Sequence, residues 1–198
     1  MHRVVILLIV VLTASLATAG QFNAARNIGD AGPAWKDLPG TDGKSHSLAD
    51  IDKKVVVVVF TCNSCPVATD YEDRIIALAK KYSDRVALVA INVNRTAEDS
   101  LEMMKKRAEE KQLPYPYLFD ETQQIAKDYG AAFTPEFFVL GPDRKIIYMG
   151  GMDDNSEPAQ TKVNYLGPAV EAALAGTKPE VAEAVARGCR IPFARERR

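Results

Sequence analysis

Cys62 and Cys65 stand three positions apart, directly after the run Val55-Val56-Val57-Val58-Val59-Phe60 and directly before a predicted helix. Two thiols at that spacing lie on one face of a first helical turn, close enough to close a strained, reversible bridge. The place matters as much as the spacing. A helix N-terminus carries unpaired N–H groups and a partial positive charge, which favour a thiolate. In such settings a cysteine pKa falls to roughly 3.5–7.5, and the thiolate is the nucleophile of disulfide exchange. The chemistry these residues point to is redox chemistry at sulfur.

Other uses of the motif are weaker. Half a zinc site would need further soft ligands, and Cys189 and His46 are the candidates outside the first residues. Haem attachment needs a histidine after the second cysteine, where Pro66 stands. A purely structural disulfide over three residues closes too small a loop to be a good staple.

The elements that must position the dithiol follow from the hydrophobic pattern. The valine run reads as a buried strand of a parallel sheet. An amphipathic helix is expected over about 67–82, with Pro66 tolerated in its first turn. A second buried strand covers 85–92, and a helix opens at Ala97-Glu98-Asp99 with apolar positions Leu101, Met104 and Ala108. The charged stretch 105–111 reads as that helix's wet face. A short strand 117–119 follows, then a helix from Asp120 to Tyr129 stopped by Gly130. Phe137–Leu140 and 145–149 form a hairpin around Gly141-Pro142-Asp143-Arg144, and a last helix spans 165–175. Trp35–Leu38 reads as a short edge strand before a turn-rich segment, and Ser47–Ile51 as a single helical turn. Strand–helix alternation followed by a hairpin makes a mixed α/β sheet.

The chain has 198 residues and a formal net charge of −1, which suits one domain with a substantial core. Without a large basic block, nucleic acid is not an expected partner. Arg187, Arg190, Arg195, Arg197 and Arg198 form the basic cluster, read as a solvated tail over 192–198 and its approach. Residues 1–19 have a basic start, an apolar run and Ala17-Thr18-Ala19, the layout of a cleaved signal peptide. The apolar run is short against the about 20 residues of a spanning helix. Membrane attachment is expected only if this leader is retained. Residues 20–32 read as a flexible lead-in, and 33–191 as the domain. Export, to the periplasm or the exterior, places the three cysteines where disulfides persist and leaves Cys189 as the odd thiol.

Several motifs together resemble a known group. Phe60-Thr61-Cys62-Asn63-Ser64-Cys65-Pro66, Asp120-Glu121-Thr122-Gln123, Tyr129-Gly130-Ala131, Thr134-Pro135-Glu136-Phe137-Phe138-Val139, Met152-Asp153-Asp154 and Gly188-Cys189-Arg190-Ile191 are similar to exported thioredoxin-like redoxins of the alkyl hydroperoxide reductase/thiol-specific antioxidant superfamily. The resemblance covers roughly 33–191. It implies a thioredoxin-like fold: a mixed central sheet with helices on both faces. It implies that Cys62, as the more exposed thiol near the helix N-cap, attacks a substrate disulfide, and that Cys65 resolves the mixed disulfide. It implies that Pro135 is cis and faces the dithiol, with the Thr134 backbone pairing with substrate; read alone, Pro135 is an ordinary turn proline. No cofactor is expected beyond the redox-active Cys62–Cys65 disulfide. The expected partners are a disulfide-containing protein and a thiol electron donor.

Two departures from the family pattern bear on mechanism. The valine strand offers no buried carboxylate for proton transfer, so Glu136, or one of Asp70, Glu72 and Asp73, is the substitute. Asp70 and Asp73 otherwise read as solvated acids at the helix's dipole end, and Asp153-Asp154 as a solvated turn. A peroxidase of this superfamily presents Pro-x-x-x-Thr-x-x-Cys, and neither Cys62 nor Cys65 has that Pro and Thr upstream. Exchange with protein disulfides is therefore the leading function, peroxide reduction the alternative. A copper-delivery protein of the same fold is the second alternative, though it would use C-x-x-x-C and a later histidine. Cys189 is a possible resolving thiol, an intermolecular partner, or inert.

Overall fold

The computed structural model describes residues 20–194; the leader 1–19 and Arg195, Arg197 and Arg198 of the basic tail lie outside them. The strands and helices in chain order are β1 (Leu38–Pro39), β2 (Ser45–His46), β3 (Val55–Phe60), α1 (Pro66–Lys81), β4 (Val86–Asn92), α2 (Leu101–Lys111), β5 (Tyr117–Phe119), α3 (Gln124–Tyr129), β6 (Phe133–Thr134), β7 (Glu136–Leu140), β8 (Ile146–Gly150), α4 (Leu166–Ala175) and β9 (Cys189–Arg190). The main sheet has the order β5-β4-β3-β7-β8. β3 runs parallel to β4, and β4 to β5; β7 is antiparallel to both β3 and β8. This is the mixed sheet expected of a thioredoxin-like fold.

β3 is central because it is apolar on both faces. Val55, Val57 and Val59 pack with Tyr71 and Ile75 of α1, Met104 of α2 and Leu166, Ala169 and Val170 of α4. Val56, Val58 and Phe60 pack on the opposite side with Trp35, Leu48, and Ala126 and Tyr129 of α3. Each fully buried valine contributes about 1.5–3 kcal/mol. The β3 end is thereby a rigid platform for the cysteines that follow.

Some boundaries differ from the sequence reading, each for a local reason. α2 starts at Leu101, because Ser100 turns extended after a short 3-10 turn at Ala97–Asp99 and caps the new helix through Met103 N–H. α3 starts at Gln124, because Gln123 is left-handed (φ 63°) and spends its carboxamide on distant backbone. The first extended pair is Leu38–Pro39 with Ser45–His46, and Trp35 is a buried core residue ahead of it.

The segment expected to be a flexible lead-in is packed. Asn23 is buried, donates to Tyr129 O at 2.9 Å and accepts from the Ala25 and Arg26 amides. Gly29 N–H bonds Ile146 O, and Ile146 N–H bonds Asp30 O, so the segment extends the β8 edge. Its polar side chains satisfy backbone groups rather than solvent. Asp153 is likewise no solvated turn. It is buried and accepts from Tyr71 Oη at 2.7 Å and from Arg74, whose guanidinium also bonds the Asn155 and Ser156 carbonyls. Arg107 and Lys111 leave the expected wet face of α2 to pair with Glu72 of α1.

Candidate dithiol site

The site grows from the end of β3. Thr61 N–H bonds Ile91 O at 3.0 Å, continuing the parallel ladder one residue beyond Phe60. The chain then turns through Cys62-Asn63-Ser64 and enters α1. Cys65, not Cys62, is the N-cap: its backbone is extended (φ −91°, ψ 115°) and its sulfur accepts Ala68 N–H at 3.4 Å. Pro66 occupies the first helical position, where a missing N–H costs nothing. The helix tip therefore acts directly on Cys65. The expectation that Cys62 sits at the cap is corrected by the extended φ/ψ of Cys65, which ends the loop one residue before Pro66.

The two thiols are also equally buried, Cys62 at 3 % and Cys65 at 2 % exposure, so Cys62 is not the more exposed one. The cover comes from β6 and β9. The Thr134–Pro135 peptide is cis. Thr134 touches both sulfurs: its Oγ1 is 3.3 Å from Cys62 Sγ, and its carbonyl oxygen is 3.3 Å from Cys65 Sγ. Cys189 of β9 pairs opposite Thr134 and packs on the same cysteine cluster. The predicted residues Cys62, Cys65, Thr134, Pro135 and Cys189 thus gather in one place.

The two sulfurs are ionised unequally. The Cys62 thiol beside Cys65 holds the Cys65 pKa well below the usual thiol value against burial, with Cys189 and the Ala68 amide adding to the fall. The same contact with Cys65, then burial, push Cys62 up, and the charge of Asp99 adds to it. The two thiols are thus biased in opposite directions, with negative charge favoured on Cys65 at the helix cap over Cys62.

Asp99 is the functional residue that sequence reading missed. It is fully buried beneath the Cys62–Cys65 loop. Its Oδ1 accepts Asn63 N–H at 2.7 Å, Ser64 N–H at 3.3 Å and Asn92 Nδ2 at 3.0 Å. Its Oδ2 accepts Ser64 Oγ at 2.6 Å and Thr96 Oγ1 at 2.7 Å. Burial pushes this carboxyl up, but the Ser64, Thr96, Asn92 and Asn63 hydrogen bonds outweigh it and hold the pKa below the usual 3.8. Tyr117 Oη completes the support by donating to Asn63 Oδ1 at 3.0 Å. The visible signal was Thr96-x-x-Asp99, the pattern of a helix start; its second use, gripping a loop 35 and 36 positions earlier, leaves no local trace.

Glu136 is buried on the other flank, on β7 opposite Phe60 of β3. Burial raises its carboxyl above the usual 4.5, and the Ala132 and Phe133 amides, which both bond Oε2, offset only part of the rise. Of the helix acids, Glu72 is held bidentately by Arg107, while Asp70 and Asp73 are exposed, Asp73 pairing with Lys111. His46 bonds Asp42 on its own hairpin.

Comparison with known proteins gives three findings. The AhpC/TSA family matches residues 28–149. "Thioredoxin-like protein YneN" of Bacillus subtilis (strain 168) is 30% identical over 112 residues, 56% of this chain; the match spans 65% of that curated relative's length. Two solved structures share the fold at a TM-score of 0.81 each. One is an uncharacterized conserved protein from Geobacillus kaustophilus, 35% identical, over 86% of this chain and 94% of that one. The other is the hypothetical protein SMc02350 from Sinorhizobium meliloti 1021, 30% identical, over 87% and 97%.

Proposed function

The chain belongs to the AhpC/TSA family as a thioredoxin-like redoxin, and on that premise we propose that it is a thiol–disulfide oxidoreductase acting on protein disulfides outside the cytoplasm. The observation that carries this reading is the geometry of the dithiol: Cys62 and Cys65 pack together at the start of α1, and the cis Thr134–Pro135 edge places Thr134 Oγ1 3.3 Å from Cys62 Sγ and its carbonyl oxygen 3.3 Å from Cys65 Sγ.

Transfer of the Cys62 proton to Cys65 makes Cys62 the attacking thiolate, with the Thr134 hydroxyl placed to donate to it. Cys62 displaces one sulfur of the substrate disulfide, which leaves as a thiolate and takes up a proton. Cys65 then loses its proton and attacks Cys62 Sγ. The Cys62–Cys65 bond forms, the second substrate sulfur leaves, and the substrate is reduced by two electrons. Glu136, buried opposite Phe60 at the end of β3 with its pKa raised by burial, is the proton acceptor we assign. A thiol donor restores the dithiol, and no cofactor beyond the Cys62–Cys65 pair takes part. The signal-peptide layout of residues 1–19 supports export. The Pro-x-x-x-Thr-x-x-Cys frame of a peroxide pocket is not present around Cys62 or Cys65, which favours protein disulfides over peroxide.

Single-cysteine trapping tests the order of attack. Cys65→Ser is expected to accumulate a mixed disulfide between Cys62 and an insulin chain, formed by attack on an insulin disulfide, while Cys62→Ser loses insulin reduction. Trapping on Cys65 in Cys62→Ser, with none on Cys62, would reverse the roles. Rapid peroxide consumption by the reduced protein, without insulin reduction, would replace the reading with peroxide reduction.

A further inference from the structure

The C-terminal strand reaches the dithiol by the Thr134 edge. β9 pairs antiparallel with β6, Thr134 opposite Cys189 and Phe133 opposite Arg190. The approach is unusually close: a Cβ at Gly188 would lie 2.0 Å from Thr134 O, the same carbonyl that faces Cys65. Several contacts hold the strand there. Ile191 is buried and bonds Ala132 O at 2.9 Å, and the Arg190 guanidinium lies 5.3 Å over the Phe133 ring. Gln123 grips the segment beyond it, donating to Pro192 O at 3.2 Å and accepting Ala194 N–H at 2.7 Å. The result is that Cys189 packs against the cluster formed by Cys62, Cys65 and Ala68. Its sulfur meets Cys65 and also faces the Val67 amide of the first turn of α1.

We propose that Cys189 is an internal exchange partner of Cys65, so that the oxidised protein holds its disulfide either as Cys62–Cys65 or as Cys65–Cys189. This deepens the disulfide-exchange reading and rests on it. In the step, the Cys189 thiol loses its proton and the thiolate attacks Cys65 Sγ of the Cys62–Cys65 bond. That bond breaks, Cys65–Cys189 forms, and Cys62 leaves as a thiolate that takes up the proton. No electron is gained or lost, so no further oxidant is required. The electrostatics favour the step only after oxidation. In the reduced protein, burial and then the Cys65 sulfur push the Cys189 pKa up to about 11. Once Cys65 is in a disulfide its charge is gone, and the Val67 amide faces the Cys189 sulfur without that opposition. The Cys65–Cys189 bond also tethers β9, which already pairs along the Thr134 edge, to the start of α1.

Disulfide mapping tests this. The purified protein and its Cys62→Ser variant are equilibrated in a glutathione redox buffer, quenched in acid, alkylated and digested. In Cys62→Ser, a peptide joining Cys65 to Cys189 is expected in most molecules, at a rate independent of protein concentration. In the wild type both disulfides are expected, and in Cys189→Ser only Cys62–Cys65. If Cys189 stays alkylatable in Cys62→Ser while Cys65 carries glutathione, and the wild type yields no Cys65–Cys189 peptide, the proposal is overturned. Insulin reduction by the wild type keeps the two readings apart. Reduction without the Cys65–Cys189 peptide removes only the internal partner; the peptide without reduction removes the oxidoreductase reading and leaves the pair.

Discussion

The dithiol lies between two buried flanks, each with one carboxylate, and the two carboxylates have opposite fates. On the α2 side, Asp99 gathers five hydrogen bonds from Asn63, Ser64, Asn92 and Thr96 and stays ionised below its usual pKa. On the β6 side, Glu136 has two amides on one oxygen, and its pKa rises. Burial alone does not decide the charge of an acid; the number of donors aimed at it does. Asp99 fixes the loop's shape and adds a minor charge effect that raises the Cys62 pKa, whereas burial leaves Glu136 the more easily protonated of the two acids.

The largest effect is expected on the Asp99 side. Asp99→Ala orphans several buried donors, and hydrogen bonds to a charged group are worth about 1.5–3 kcal/mol each, so the loss should be about 3 kcal/mol or more in urea denaturation at neutral pH. Because the Asp99 pKa is lowered by folding, its contribution is present above 3.8 and disappears as pH falls through the folded value. The gap between variant and wild type should therefore close in acid. A small, pH-independent gap would break the comparison.

Gly188→Ala probes the opposite flank. The added Cβ collides with Thr134 O and must lift β9, at a cost of about 1–3 kcal/mol. Alkylation of Cys62 and Cys65 in the native protein should speed up as the cover is displaced; an unchanged rate would mean that β9 is not what shields them. Glu136→Gln should have the smallest effect, about 1 kcal/mol, because the amide oxygen still accepts both N–H groups. Its pH signature sharpens the contrast. A raised folded pKa gives stability that is full below 4.5 and lost as pH rises through the folded value, so the variant should lack that fall.

The order of the β3–Cys62–Cys65–α1 junction was legible, because a strand, a dithiol and a helix start are adjacent along the chain and each has a local signature; which cysteine caps the helix, and the burial of both, was not, because the cover comes from β6 and β9. The Thr134–Pro135 edge was legible only through family resemblance, since a proline before a strand has an ordinary meaning of its own. The Asp99 grip on Asn63 and the Cys189 contact with Cys65 were hidden, because both depend on which chain ends and turns the fold folds back onto the loop. The buried Asp153 was misread for the same reason: its partners, Tyr71 and Arg74, lie 82 and 79 positions earlier.

That last cluster has a bearing on how the site can open. Tyr71 and Arg74 of α1 are bolted through Asp153, Asn155 and Ser156 to the stretch that follows β8, and Arg107 of α2 holds Glu72 of α1 from another side. A helix braced from two directions behaves like a door post. The swinging leaf is then the short terminal strap hung from Gln123, and whatever passes the threshold must move the leaf and leave the post standing.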